Sequence, residues 1–141
     1  MNGILIALIG LVAAFVGGAI QAYATNRFEK SKFEREAKWQ LYSAYFVTLG
    51  ELSFTGRDEQ RHLDALARLA NIRGQIGIQG SPQVVKAVGE VFRHPDLLSS
   101  EAQGAMAKAL RAMRDDLGKS DSQLSDEEMV QLMFGSQRML P

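Results

Sequence analysis

His62 and His94 are the only histidines in the chain, and they are the first place to look for chemistry. A zinc-type site needs three or four protein ligands. Neither histidine has a partner at metal-ligand spacing, and cysteine is absent, so the sequence offers no metal site and no thiolate nucleophile. Asp115-Asp116 looks like a carboxylate pair. Neighbouring residues on a helix point in different directions, so the two are not expected to share one substrate. Asp126-Glu127-Glu128 fits a first helical turn, where acidic groups favour the helix dipole. Gly74, Gly77 and Gly80 recur at threes, but they lack the Gly-Lys-Ser/Thr ending of a phosphate loop. No catalytic residue and no cofactor are expected. One cationic row remains: Lys108, Arg111 and Arg114 form a candidate anion or partner face, against the plainer reading of a solvated helix surface.

The longest signal in the chain is apolar. Ile4 to Ile20 carries no charged or strongly polar side chain, and the first charge is Arg27. About 20 apolar residues suffice to cross a bilayer as a helix. Arg27, Lys30, Lys32, Arg35 and Lys38 come next, while no Lys or Arg precedes. Basic residues stay on the cytoplasmic side, which predicts an inner-membrane, single-pass chain with its N-terminus outside and its C-terminal body cytoplasmic. Ala22-Tyr23-Ala24 has the form of a signal-peptidase site, but the run lacks a basic leader and exceeds the usual signal core. A retained anchor is therefore expected. An exported domain cleaved after Ala24 is the competing reading.

Small residues line that segment. Gly3, Ala7, Gly10, Ala14 and Gly17 recur at fours and threes, and Gly10, Ala14, Gly18 and Ala22 at fours. Such rows let two membrane helices approach closely, which predicts a homo-oligomer seam. Polar groups that could line a pore occur only at the cytoplasmic end, as Gln21, Thr25 and Asn26.

The remaining elements are helical throughout. Trp39, Tyr42, Tyr45, Phe46, Leu49 and Leu52 have helical spacing and predict a packing face continuous with the first segment. A second helix over 58–73 is expected to bury Leu63, Leu66, Ala67, Ala70 and Ile76. The glycines after it read as a fraying end and turn. Ser81-Pro82 caps a third helix over 82–92, with Val84, Val85, Val88, Val91 and Phe92 inward. Ser99 or Ser100 caps a fourth to about Leu117, with Ser100 and Gln103 at capping-box spacing. Its inner face is Ala102, Ala105, Met106, Ala109, Leu110 and Met113, and Gly118 stops it. Ser125 and Glu128 box a last short helix bearing Met129, Leu132 and Met133.

The fold class is thus all-α: an N-terminal transmembrane helix (1–25), a basic stalk and aromatic helix (26–56), a small cytoplasmic helical bundle (57–118), and a linker with a short C-terminal helix (119–141). Sixteen basic residues balance sixteen acidic ones. Zero net charge argues against nucleic acid as a partner.

Three segments, Trp39-Gln40-Leu41-Tyr42, Gly80-Ser81-Pro82-Gln83-Val84-Val85-Lys86-Ala87 and Ala112-Met113-Arg114-Asp115-Asp116-Leu117-Gly118, carry a likeness. Together with the apolar start and basic stalk, they resemble the many small bacterial single-pass membrane proteins of uncharacterised function. The resemblance implies an inner-membrane home and transfers no catalytic residue. The expected function is non-enzymatic: a self-associating membrane protein with a cytoplasmic sensing or docking domain, in one version a membrane-perturbing defence or toxicity effector. A membrane-anchored scaffold or accessory subunit, bound to a protein partner, is the alternative.

Overall fold

The computed structural model describes residues 2–54, 58–120 and 122–135; the side chains of 2–9, 11 and 54 lie outside that set. The described residues are helical, in five helices without a strand: α1 (Asn2–Phe54), α2 (Glu59–Gln79), α3 (Pro82–Val91), α4 (Ser100–Asp116) and α5 (Asp126–Phe134). Two compact units result, Met1–Ala37 and Lys38–Pro141.

In the first unit the backbone is a single stretch of α1. From Val12 onward its side chains are almost all exposed, including Phe15, Tyr23, Phe28 and Phe33. Among the described residues no helix is long and apolar enough to cross a membrane. Residues 4–9 and 11, seven of the seventeen in the apolar run, fall outside the described side chains.

The second unit has its own core. Leu41, Tyr42, Tyr45 and Leu49 of α1 pack with Leu69 and Ile76, with Val84, Val88 and Val91, and with Ala105, Met106, Ala109 and Met113. A smaller cluster of Ala107, Met129 and Val130 holds α5 on α4. Each helix start is chemically specified. Asp58, Ser81, Ser99 and Ser125 each accept a backbone N–H of the first turn. At α5 the capping box closes both ways: Ser125 N–H donates to Glu128 Oε2 at 2.7 Å, and Glu128 N–H donates to Ser125 Oγ at 3.1 Å. Such a cap is worth about 1 kcal/mol. Gly118 lies just past α4 at φ 73°, a left-handed conformation that glycine adopts without a Cβ penalty.

Several expected positions differ. α2 does not end at Arg73 but runs through Gly74 and Gly77 to Gln79. Its buried residues are Ala65, Leu69 and Ile76, with Ile72 half-buried, while Leu63, Leu66, Ala67 and Ala70 are exposed. Both sets have helical spacing, and the β-branched, larger set takes the core. Val85 and Leu132 lie outward, one step off the stripes that face their neighbours. Trp39 is also exposed, off the line through Leu41, Tyr42, Tyr45 and Leu49. The α4 cap is Ser99, so Ser100 is already helical and the box with Gln103 does not form; Gln103 Nε2 donates instead to the Leu98 carbonyl at 3.2 Å.

Candidate functional site

The most heavily coordinated side chain in the second unit is Asp116, in the last turn of α4. Lys38 Nζ lies 3.1 Å from its Oδ1 and 2.9 Å from its Oδ2, and Tyr42 Oη donates to Oδ2 at 2.5 Å. The Ser81 backbone adds to the influences that hold the same carboxylate ionised. The local backbone explains how these groups meet. Lys38 and Tyr42 are four apart on α1 and so share a face. Gly80 turns the chain from α2 into α3 and presents the Ser81 backbone. A Cβ at Gly80 would stand 2.7 Å from the Ile76 carbonyl oxygen, so that turn requires glycine. Groups from α1, the start of α3 and the end of α4 thus act on one carboxylate. Asp115, its neighbour in sequence, is exposed.

The electrostatics define what this cluster can do. The Asp116 side chain is only 10% exposed and that of Lys38 25%. Burial pushes the Asp116 carboxyl up, but the hydrogen bonds from Tyr42 and Lys38, the Lys38 charge and the Ser81 backbone outweigh it. The net shift is below the usual carboxylate range. Tyr42 moves the other way, above the ordinary phenol, through burial first and then its bond to Asp116. An acid–base catalyst works best with a pKa near the operating pH. Here the carboxylate is held ionised and the phenol held protonated, so the arrangement is a charge-assisted clamp joining α1, α3 and α4.

Tyr45 sits one turn further along α1 and is fully buried. Its hydroxyl has no hydrogen-bond partner among the described residues. Burial raises its pKa, and the Arg73 charge acts against that rise. The Arg73 guanidinium carbon lies 3.9 Å from the centroid of the Phe92 ring, a cation–π contact between α2 and the end of α3. Arg73 also borders a groove of about 410 Å³ between α2 and α3, with Gly74, Gly77 and Gly89 in its lining.

The cationic row on α4 is divided by its surroundings. Arg111 donates from Nε to Asp126 Oδ1 at 2.9 Å and from Nη2 to the Leu124 carbonyl at 2.5 Å. Its guanidinium therefore fastens the start of α5. Lys108 is exposed and Arg114 half-buried. Arg111, committed to Asp126 and Leu124, is thereby drawn away from a shared role with the other two.

Of the small-residue seam, Gly10, Ala14, Gly17, Gly18 and Ala22 are exposed. A Cβ added at Gly10, Gly17 or Gly18 would meet nothing within 4 Å. Gly3 and Ala7 lie outside the described side chains. Among the described residues no group of three His, Asp or Glu side chains is placed to hold a metal ion.

No protein-family model, curated protein or solved structure matches the chain. The functional reading therefore rests on the geometry of the chain itself. Sequence reasoning misses Asp116 because its partners are 74 and 78 positions away in the chain.

Proposed function

We propose that this chain is a non-enzymatic, self-associating inner-membrane protein whose helical bundle is a cytoplasmic sensing or docking domain. The observation that carries the reading is the apolar run Ile4–Ile20, joined directly to a basic segment. Every described large apolar side chain in that run, Val12, Phe15, Val16 and Ile20, is exposed. Contiguous exposed apolar surface of this kind marks a membrane or partner contact. The five basic residues from Arg27 to Lys38 favour a cytoplasmic position for the bundle beyond them. The open row of Gly10, Ala14, Gly18 and Ala22 supports close helix–helix approach in lipid.

The bundle fits a non-catalytic role. Its Asp116 cluster is a clamp in which the carboxyl is lowered and the Tyr42 phenol raised, and its caps fix the starts of α2 to α5. In the effector version of this reading, a cytoplasmic signal rearranges the bundle and the clustered α1 segments then perturb the membrane.

The absence of cysteine makes the topology directly measurable. In intact cells, Asn2→Cys should react with a membrane-impermeant maleimide, while Lys119→Cys should react only after lysis. Labelling of Lys119→Cys in intact cells would reverse the orientation. A stoichiometric second protein in detergent pull-downs of the full chain would replace self-association with the scaffold reading.

A further inference from the structure

The α2 helix is apolar on two opposite sides. Ala65, Leu69, Ile72 and Ile76 face the core. Leu63, Leu66, Ala67, Ala70, Gly74 and Gly77 form a second stripe, of which Leu66 is 43% exposed; Ala67, Ala70, Gly74 and Gly77 are exposed with it, and Leu63 is 53% exposed. A helix apolar on both sides is ordinarily covered on both. Among the described residues the outer stripe stays exposed, its Ala70, Gly74 and Gly77 forming one wall of the open groove beside α3.

Charge placement says what covers it. Glu59, Leu66 and Arg73 are spaced by sevens, so they lie on nearly one line along the helix, within the outer stripe. All three are exposed. Arg73 is the only charged residue between Leu69 and Gln79, and Glu59 is the acidic residue on the line at its opposite end. Arg73 is propped on Phe92 and takes no carboxylate partner in the ion pairs of the described residues. The line is therefore self-complementary when reversed: acidic, apolar, basic against basic, apolar, acidic.

We propose that α2 pairs antiparallel with α2 of a second copy of this chain, about a twofold axis through Leu66. Leu66 meets its own counterpart there. Glu59 of each copy lies beside Arg73 of the other, and Leu63 lies beside Ala70. Ala67 and Ala70 let the two backbones approach closely, and the helix dipoles oppose favourably. Because a twofold interface repeats every contact, the Glu59–Arg73 pair occurs twice. The surface belongs to the bundle alone and does not rest on the reading of α1 as a membrane segment.

Single cysteines in the full-length, otherwise cysteine-free chain test the register. Leu66→Cys should form a disulfide dimer under mild oxidation. Gly77→Cys, on the same stripe, should not, because two such residues would stand about 33 Å apart along an antiparallel pair at 1.5 Å per residue. In the Leu66→Cys background, Glu59→Arg or Arg73→Glu should each lower dimer yield roughly fivefold, an exposed pair's effect taken twice. The two changes together should restore it. Both cysteines linking equally would indicate a parallel pairing and overturn the proposal. So would a charge-reversed double variant no better than its singles, or a Leu66→Cys chain that stays monomeric because a different protein covers the face.

Discussion

The two units of this chain solve opposite problems with the same secondary structure. The second unit buries Tyr45, Ile76, Val84, Val91 and Met113 almost completely and ties Asp116 and Arg111 to named partners. The helical segment up to Ala37 exposes Phe15, Tyr23, Phe28 and Phe33, and its Ser31 Oγ donates locally to the Phe28 carbonyl at 3.0 Å. Helices in water draw most of their stability from packing an apolar face. Among the described side chains the first unit packs no such face within itself, and the proposed reading assigns its support to lipid. The second carries its own.

That contrast is broken most directly at Asp116. Asp116→Ala leaves Lys38 and Tyr42 without their acceptor, and should cost about 3 kcal/mol in denaturant unfolding of the bundle. Asp115→Ala, on the exposed side, should stay within about 0.5 kcal/mol. The pH dependence comes from the sign of the shift. A folded carboxyl pKa below its unfolded value of about 3.9 contributes stability above that value, and the contribution is lost as pH falls through the folded value. The wild-type chain should therefore lose stability below about pH 4 more steeply than Asp116→Asn.

Next in size is the turn that presents Ser81. Gly80→Ala places a Cβ against the Ile76 carbonyl oxygen and should cost about 1–3 kcal/mol, read as a lower unfolding midpoint.

Two tyrosines one turn apart sharpen the comparison within the bundle. Tyr42→Phe removes a bond to a carboxylate and should destabilise by about 1.5 kcal/mol. Tyr45→Phe removes a buried hydroxyl with no partner among the described residues and should be neutral or stabilising by about 1 kcal/mol. Both folded phenols are raised above the ordinary value, so the stability each contributes is present below about pH 10 and lost as pH rises past it. The double Phe variant should show a shallower alkaline loss.

The smallest effects belong to the first unit. Phe28→Ser and Phe33→Ser should change the unfolding of the bundle by less than about 0.5 kcal/mol, since neither ring is among the residues of its core.

Local signals make much of the fold readable. Ser81-Pro82, Ser125 with Glu128, and Gly118 act through their immediate neighbours, and each lies where its chemistry places it. The continuous α1 is readable from the lack of Gly or Pro between Thr25 and Leu49. The buried face of α2 is not, because two apolar stripes satisfy the same period and only tertiary packing chooses between them. The clamp is hidden for a related reason: Asp116 takes its role from Lys38, Tyr42 and Ser81, none of them near it in sequence. Arg111 reads as a free cation on α4 until α5 brings Asp126 against it.

The central claim is that the N-terminal apolar segment is retained and lodged in lipid. Alkaline carbonate extraction of membranes from cells expressing the full chain tests it, with mass measurement of the recovered protein. The account predicts an intact chain beginning at its encoded N-terminus, resistant to carbonate and released by detergent. Recovery of the intact chain as a lipid-free species in the carbonate supernatant, or of a product beginning after Ala24, would contradict it.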